Sequence, residues 1–173
     1  MRINLANSSE AQSVLAQLND LLINAVTSGA SIGFLPPLSQ ADAEAYWRGR
    51  IEAIEDGGCI LLLAWEDDVL VGSAQLGLER RANGNHRAEV QKVMVHTDFR
   101  RRGIGKLLML ALEDVAIKDK RSLLVLDTRQ GDPSEKLYRQ LGYIEVGTIP
   151  QYARSATGDL HATAFYYKIL SNQ

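Results

Sequence analysis

Two hydrophobic periods alternate along the chain, and they predict where helices and strands lie. Apolar residues recur every three to four positions after Ser8 and Ser9, which predicts a helix that one of these serines caps and that ends near residue 28. A second helix is predicted over residues 39–57, and a short strand over residues 2–6 precedes both helices. The segment between the helices, residues 30–38, contains glycine and two prolines and is predicted as a loop.

The middle of the chain is rich in β-branched and other apolar residues and loses the helical period. Strands are predicted over residues 59–65, 69–80 and 87–96, of which the first is densely apolar and the second alternates. An acidic turn at residues 66–68 joins the first two strands. The dipeptide Asn83-Gly84, a strong hairpin signal, joins the second and third. The middle of the chain is therefore predicted as an antiparallel meander.

The helical period returns after the meander. A helix is predicted over residues 103–119 and a buried strand over residues 122–127. A further helix is predicted over residues 133–142, since proline is favourable in the first turn of a helix. Closing strands are predicted over residues 143–149 and 163–170. This order of elements, without a repeat or a linker, predicts one mixed α/β domain that spans all 173 residues.

Composition and charge limit the classes of function. Apolar residues make up 46% of the chain, which is enough for a sizeable core, and the net charge of -2 gives no overall attraction to nucleic acid. Cys59 is the only cysteine and the three histidines are scattered, so neither a disulfide nor a metal cluster is predicted. The N-terminus lacks the apolar run of a signal peptide, and no apolar stretch approaches the roughly 20 residues of a membrane span. We therefore expect a soluble, cytoplasmic protein without a metal and without a nucleic-acid or membrane partner.

A basic segment with two glycines joins the meander to the following helix. It consists of Arg100, Arg101, Arg102, Gly103, Ile104, Gly105 and Lys106. The free N–H groups and the positive dipole end of a helix attract anions, and glycine lets an oxygen atom approach the backbone closely. The cationic side chains add charge and forked donors. The segment is therefore predicted to bind phosphate groups; the alternative is a solvated basic turn.

Two better-known phosphate motifs do not fit this segment. A P-loop requires glycine at position 100 and serine or threonine at position 107, where the chain has Arg100 and Leu107. The dinucleotide fingerprint requires a small residue at position 108, where the chain has Leu108. That fingerprint also lies in a parallel βαβ unit, whereas this segment follows an antiparallel meander. Both motifs are excluded.

Three segments resemble the acetyl-CoA region of the GNAT acetyltransferase superfamily. They are Val93-Met94-Val95, the spacing Arg100-x-x-Gly103-x-Gly105, and Tyr138-Arg139-Gln140-Leu141-Gly142-Tyr143. Within the superfamily the chain is most similar to the tabtoxin-resistance acetyltransferases, in runs that begin at Gly29, Ser73, Arg87, Leu126 and Pro150. The resemblance implies a single-domain GNAT (acyl-CoA N-acyltransferase) fold of the α/β class: a mixed, mostly antiparallel sheet with splayed central parallel strands, flanked by helices. It also implies acetyl-CoA as co-substrate.

The resemblance assigns the cofactor contacts. The backbones of Val93 and Val95 are expected to bind the pantetheine arm, and the N–H of Val93 is expected to polarise the acetyl carbonyl. The remaining cofactor-binding candidates are Met94, the segment Arg100–Lys106, Thr128, Ser134 and Lys136. The chain departs from the family pattern at Gly131, where an asparagine commonly contacts the cofactor, and at Arg101, where glycine is usual.

The resemblance also assigns catalytic roles. Tyr138 is expected to face the sulfur and to donate a proton or a hydrogen bond to the thiolate leaving group; the alternative is a tyrosine packed on a helix face. A base must remove a proton from the amine, because most amines are charged at pH 7. Glu89 and Asp127 are the candidates. These carboxylates have alternative roles in binding a cationic substrate or in pairing with arginines.

The acceptor is the least defined part of the prediction. The loop over residues 29–38 is expected to cover the acceptor site, with Phe34, Gln75, Tyr152 and His86 as candidate contacts. The resemblance suggests a small amino acid-like or dipeptide-like amine, including an antimetabolite such as tabtoxinine-β-lactam. The alternatives are a non-catalytic acetyl-CoA-binding sensor, a protein or peptide N-acetyltransferase and a nucleotide-binding protein. A homodimer is common in the family, and an exposed final strand is expected to offer an edge for pairing.

Overall fold

The structure, a computed structural model, describes residues 1–170. Five α-helices and seven strands follow one another along these residues, and a single 3-10 turn, Thr97–Phe99, follows the fourth strand. The elements are β1 (Arg2–Ala6), α1 (Ser8–Ser13), α2 (Leu15–Thr27), α3 (Gln40–Glu55), β2 (Cys59–Glu66), β3 (Val69–Leu78), β4 (Arg87–Val95), α4 (Ile104–Lys118), β5 (Leu123–Arg129), α5 (Pro133–Gln140), β6 (Ile144–Arg154) and β7 (Leu160–Ile169). The predicted mixed α/β class and order of elements are confirmed, apart from a division of the first helix.

The first predicted helix is two helices, α1 and α2, which meet at Val14. Val14 leaves the helical conformation, with φ -111° and ψ 17°. The hydroxyl of Ser13 donates a hydrogen bond of 2.7 Å to the carbonyl of Glu10, and short polar side chains compete for helix carbonyls in this way. Asn7, rather than either following serine, caps α1 by accepting a hydrogen bond from the N–H of Glu10.

All seven strands form one sheet, in the order β1-β2-β3-β4-β5-β7-β6. Helices cover both faces, which explains why β2 is apolar on consecutive positions rather than on alternate ones. Leu62 and Ala64 of β2 belong to the core cluster under α4 and α5, whereas Leu61 and Leu63 belong to the cluster under α1, α2 and α3. The sheet is therefore the middle of three layers.

The last two strands differ from the prediction in their lengths and in their pairing. β6 extends to Arg154 and β7 begins at Leu160, so the two strands are longer than residues 143–149 and 163–170 indicated. The expectation of a free final strand was wrong, because β7 pairs with β5 on one side and with β6 on the other. The two edges of the sheet are β1 and β6.

The central parallel pair, β4 and β5, positions the site. Every other neighbouring pair in the sheet is antiparallel. β4 and β5 pair at only three positions, the last of which joins Glu89 to Val125, and then they separate. A bulge in β4 contributes to this divergence, because Ser73 pairs with Met94 while the second residue after Ser73 pairs with Gln91. The predicted splayed strands are thus present.

Helix length and hydropathy also bear on the membrane question. Within residues 1–170, none of the helices combines the length and the apolar character that crossing a bilayer requires.

Candidate active site

The separation of β4 from β5 opens a cleft with a volume of about 800 Å³. This volume lies within the range of small-molecule and cofactor sites, which is roughly 300–1,000 Å³. Helices on opposite faces of the sheet supply its two walls. We call one wall the α5 side, lined by Val93, Val95, Thr128, Ser134 and Tyr138. We call the other wall the α3 side, lined by Gly33, Tyr46, Arg50, Lys92 and Tyr152.

Tyr138 lies on the α5 side with only 7% of its surface exposed. Its ring packs near the rings of Tyr143 and Tyr166, with centroid distances of 5.9 and 6.2 Å. Burial, followed by the negative charges of Asp127 and Asp132, raises the pKa of Tyr138 to about 12. Its hydroxyl therefore stays protonated at neutral pH and is able to donate a hydrogen bond into the cleft.

The strand β5 and the first turn of α5 bring two hydroxyl groups together. Thr128 and Ser134 both line the cleft, and their oxygen atoms are 2.8 Å apart. Pro133 occupies the first turn of α5, as the sequence predicted. Gly131, which stands where the resemblance implies asparagine, adopts the left-handed conformation, and its N–H donates to the carboxylate of Glu135. This hydrogen bond fixes the loop that leads into α5.

Arg100 is the only residue of the predicted phosphate segment, Arg100–Lys106, that lines the cleft wall. Its Nε donates to the carbonyl of Val95 at 3.1 Å, and its terminal nitrogen donates to the hydroxyl of Ser28 at 2.6 Å. These bonds fix the Arg100 side chain at the cleft wall. The carbonyl of Val95, in a backbone that was expected to bind the pantetheine arm, thus accepts one hydrogen bond from Arg100 and retains a second lone pair.

The rest of the segment forms the N-terminal turn of α4. Gly103 caps the helix with a left-handed φ of 80°, which glycine adopts without strain. Arg102 is engaged elsewhere, since it pairs with Glu66 at 3.2 Å and packs over the ring of Phe99. Ile104 is buried in the core, so only its backbone faces an anion at this turn. The other members, Arg101, Gly105 and Lys106, and also Lys136 of α5, lie outside the cleft wall.

Two carboxylates, Asp127 and Glu89, lie between the two walls, one on each of the separating strands. Burial, followed by repulsion from Glu89, raises the pKa of Asp127, and the positive charge of Lys92 opposes this rise. Glu89 accepts a hydrogen bond of 3.0 Å from the side chain of Gln91. Among residues 1–170, neither carboxylate has an ion-pair partner within 4.0 Å. Both predicted base candidates are therefore together in the cleft.

The α3 side holds three residues that the sequence analysis missed: Tyr46, Arg50 and Lys92. The ring of Tyr46 is near both cations, with its centroid 5.8 Å from the guanidinium carbon of Arg50 and 5.7 Å from Nζ of Lys92. Lys92 sits at the bulge of β4 with a left-handed φ of 48°. The only sequence signal was a lysine inside an otherwise apolar strand end, and nothing in the helix period distinguished Arg50.

Only some of the residues that were predicted to contact the acceptor line the cleft. Tyr152 lines the cleft, and Phe34 packs against Tyr46 with a centroid distance of 5.3 Å. Gln75 is fully buried behind Tyr46 and accepts its hydroxyl hydrogen bond at 3.0 Å, so it reaches the cleft only through that ring. His86 precedes the paired end of β4, where its carbonyl accepts hydrogen bonds from residues 122 and 123, and it does not line the cleft.

The described part of the chain contains no cluster of three or more His, Cys, Asp or Glu side chains arranged for a metal ion. Cys59, the only cysteine, is buried in β2. Burial raises the pKa of its thiol to about 11, so the thiolate form is strongly disfavoured at neutral pH. The cleft therefore offers hydroxyls, carboxylates and cations as its reactive and binding groups.

The sequence model of the Acetyltransferase (GNAT) family matches residues 26–143. This range contains both strands of the cleft, Tyr138 and all of α3. A relative described as an uncharacterized N-acetyltransferase in the hisH-hisA intergenic region of Azospirillum brasilense is 31% identical over 121 residues, which are 67% of this chain and 68% of the relative.

Solved structures resemble the whole chain. A ribosomal-protein-alanine N-acetyltransferase from Brucella melitensis is 26% identical with a TM-score of 0.78, and the match covers 98% of this chain and 100% of that one. The structure of yncA, a putative acetyltransferase from Salmonella typhimurium with its cofactor acetyl-CoA, is 22% identical with a TM-score of 0.79 and coverages of 100% and 95%. At that identity the second likeness concerns the fold alone.

Proposed function

Because the chain belongs to the GNAT acetyltransferase family, we propose that its β4–β5 cleft transfers the acetyl group of acetyl-CoA directly to the amine of a small molecule, in a ternary complex. The observation that carries this proposal is the cleft itself. It lies where the parallel strands separate beyond Glu89 and Val125, with a buried, protonated Tyr138 on one wall and two carboxylates between the walls. Acyl transfer to an amine needs both a hydrogen-bond donor for the leaving group and a base for the nucleophile.

The α5 side is the proposed cofactor wall. The pantetheine arm is proposed to run along β4, where residues beyond Glu89 no longer pair with β5 and offer backbone groups. The N–H of Val93 is the proposed donor to the acetyl carbonyl, on which negative charge develops when the amine attacks. The phosphates are proposed to bind at the N-terminal turn of α4, where Gly103 leaves the backbone accessible and Arg100 adds a charge.

Asp127 and Tyr138 are proposed to move the protons of the reaction. Asp127 takes a proton from the ammonium group of the acceptor, directly or through water, and its raised pKa makes it a better base than an ordinary aspartate. Glu89 is the other candidate for this role. Tyr138 donates a hydrogen bond to the departing thiolate, and the second proton that the attacking nitrogen loses on forming the amide passes to this sulfur, directly or through water. Since the pKa of Tyr138 is about 12, complete proton transfer to a thiolate whose acid has a pKa of about 8.5 is uphill, so stabilisation by the hydrogen bond is the main expected contribution.

The acceptor is proposed to be a small amino acid-like or dipeptide-like amine, including an antimetabolite such as tabtoxinine-β-lactam. The loop over residues 29–33 and Tyr152 line the cleft opposite the proposed cofactor wall, and they leave room for a small ligand. Acetylation of such a toxin at its amine is the proposed route to resistance. The proposal names a class of molecule, and the amine panel below selects among its members.

The test is the release of free CoA from acetyl-CoA by the purified protein with a panel of amines. The panel contains amino acids, dipeptides, tabtoxinine-β-lactam, polyamines, aminoglycosides and peptides that begin with alanine or serine. We expect turnover with an amino acid-like member and an acetylated product of the matching mass. Binding of acetyl-CoA without transfer to any amine contradicts the proposed activity and favours a sensor. Transfer to the peptides alone favours a protein N-acetyltransferase.

We also propose that the protein is a homodimer that pairs through β6. This strand is one of the two edges of the sheet, and it exposes Ile144, Val146 and Ile149. Unpaired, apolar strand edges commonly pair with another chain. Light scattering after gel filtration is expected to give twice the chain mass of 19.1 kDa, and Val146→Lys is expected to give the monomer. A monomeric unmodified protein contradicts this proposal.

A further inference from the structure

The α3 side of the cleft holds two cations in fixed positions. Arg50 belongs to α3 and Lys92 to the bulge of β4, and both line the cleft. Both lie close to the ring of Tyr46, whose centroid is 5.8 Å from the guanidinium carbon of Arg50 and 5.7 Å from the ammonium nitrogen of Lys92. Tyr46 is itself held by a 3.0 Å hydrogen bond to the buried Gln75. Phe34 packs edge-on against Tyr46, with the ring centroids 5.3 Å apart, and its own centroid is 5.8 Å from Nζ of Lys92. The cations are thus positioned by rigid aromatic rings.

Neither cation is neutralised by a direct partner. Among residues 1–170, no carboxylate lies within 4.0 Å of the charged nitrogens of Arg50 or Lys92, whereas Arg48, on the same helix, pairs with Glu44. Burial lowers the pKa of Lys92 most and the charge of Arg50 lowers it further, whereas the negative charges of Glu89 and Asp127 oppose this shift. Two like charges held around one ring repel each other, and a bound anion relieves this repulsion.

The charges between the walls restrict which anion fits. Asp127 and Glu89 also line the cleft without direct ion pairs, and both act electrostatically on Lys92. A compact dianion on the α3 side would be repelled by these carboxylates. A ligand with one carboxylate and one ammonium group instead meets an opposite charge at each end. The planar fork of an arginine is also well matched to a carboxylate.

We propose that Arg50 and Lys92 form a carboxylate-binding subsite on the α3 side of the cleft, so that the acceptor is a zwitterion. Its carboxylate lies against these two cations, and its ammonium group lies toward Asp127 and Glu89, next to the wall that contains Tyr138. Arg50 and Lys92 are then specificity-determining residues, because an amine without a carboxylate leaves both cations unmatched. This inference rests on the proposed function, since it concerns the acceptor of the same reaction.

The experiment compares each amino acid of a panel with its own carboxamide, which keeps the amine and the side chain and loses only the charge. The unmodified protein is expected to prefer acids over amides by roughly 10-fold or more in kcat/KM, the effect of a charge-assisted hydrogen bond. Arg50→Met and Lys92→Met are each expected to raise KM for the acid by a similar factor and to leave KM for the amide and for acetyl-CoA unchanged.

Matched variants distinguish the loss of a positive charge from a general disturbance of the structure. Lys92→Arg and Arg50→Lys keep the charges and are expected to restore most of the preference for acids. Arg48→Met removes a cation from the exposed face of the same helix and is expected to leave the preference intact. A direct measurement does not depend on turnover: with CoA present, calorimetry is expected to show tighter binding of an N-acetyl amino acid than of its amide, and Lys92→Met is expected to abolish the difference.

The outcomes distinguish the two proposals. Equal turnover of acids and amides, or a preference for acids that survives both methionine variants, overturns the carboxylate subsite and leaves the acetyltransferase activity standing. Binding of acetyl-CoA without transfer to any amine, together with no binding of the N-acetyl acids, overturns both proposals. A preference for acids that disappears with either cation and returns with the charge-conserving variants supports the subsite.

Discussion

The two walls of the cleft are built in different ways. The α5 side uses backbone, hydroxyl groups and the turn before α4, all of which come from one continuous stretch between residues 93 and 138. The α3 side uses charged and aromatic side chains from a loop, a helix, a bulge and an edge strand, which lie far apart in the sequence. A wall made of local backbone geometry suits a ligand shared by a whole family. A wall assembled from separate side chains suits a ligand particular to one member.

The boundary between the two walls is formed by Asp127 of β5 and Glu89 of β4. These carboxylates lie where a ligand on either side comes within reach of them, and Asp127 also helps to raise the pKa of Tyr138. Changes at this boundary are therefore expected to affect the chemical step, whereas changes on one wall are expected to affect the binding of one ligand. Substitutions at the boundary and on each wall test this division.

Asp127→Asn is expected to cause the largest loss, about 100-fold or more in kcat/KM, because it removes the proposed base from the boundary. In the unmodified protein the rate is expected to fall as the pH decreases through the pKa of Asp127, since protonation abolishes the base. That pKa is raised, so this fall is expected above the ordinary aspartate value of about 3.9. The pH–rate profile of Asp127→Asn is expected to lack this fall in rate at acidic pH.

Glu89→Gln is the matched control, because it removes the other carboxylate at the boundary. It also removes the repulsion that raises the pKa of Asp127, so the acidic fall in rate is expected to move to lower pH. If Glu89→Gln abolishes both the activity and the acidic fall while Asp127→Asn retains them, Glu89 is the base and the proposed assignment is wrong.

Tyr138→Phe is expected to lower kcat by roughly 10- to 100-fold, the effect of losing a hydrogen bond to a charged group. KM for the acceptor is expected to change little, because Tyr138 belongs to the α5 side. Stopped-flow measurement of CoA release at saturating substrates checks this. Tyr143→Phe removes another hydroxyl from the same aromatic cluster without touching the cleft wall and is expected to retain kcat. Unchanged turnover in Tyr138→Phe removes the proposed role.

The sequence predicted most of the α5 side because the information there is local. Seven consecutive residues, Arg100–Lys106, contain the glycines, the cations and the start of α4 with its dipole. The order of the strands along the chain followed from the hydrophobic periods. The sequence overestimated the positive charge that is available to phosphates at this turn. It does not show that Arg102 pairs with Glu66, which lies 36 positions away.

The α3 side was predicted less well because its residues meet only in the folded chain. Tyr152 was named from the resemblance and lines the cleft, whereas Phe34 packs against Tyr46 and does not line it. Tyr46 and Arg50 were not named, since a helix period does not show which polar position faces a cleft. Gln75 was predicted as a direct contact, and the structure buries it behind Tyr46. The bulge at Lys92 was also missed, because the sequence carries no glycine at this left-handed position.

Gly103→Val tests the turn that begins α4. The left-handed φ of 80° is strained for any residue with a Cβ, by roughly 1–2 kcal/mol, although no atom lies within 4 Å of the added Cβ. We expect the turn to relax and the Kd for CoA to rise about tenfold, because backbone N–H groups at helix termini bind phosphate only in a fixed geometry. Gly158→Val adds similar strain in the β6–β7 turn and is expected to leave the Kd unchanged. Equal Kd values in all three proteins contradict a phosphate site at this turn.

Arg100→Ala and Arg102→Ala are expected to have the smallest effects, and their difference sharpens the picture of the α5 side. Arg100 lines the cleft, whereas Arg102 is already paired with Glu66. We therefore expect Arg100→Ala to raise the Kd for CoA by roughly 3- to 10-fold and to weaken its dependence on salt, because surface charges are screened by ions. Arg102→Ala is expected to change the Kd by less than about twofold, since an exposed, paired cation contributes little.

Arg100 also donates to Ser28, so Ser28→Ala is the control that removes this contact and keeps the charge. Calorimetric titration with CoA at low and high salt is expected to show a normal Kd and a normal salt dependence for Ser28→Ala. If Ser28→Ala weakens CoA binding as much as Arg100→Ala does, Arg100 acts by holding the end of α2 in place. The proposed contact between its guanidinium group and the phosphates is then wrong, and the binding of the phosphates rests on the backbone of the α4 turn alone.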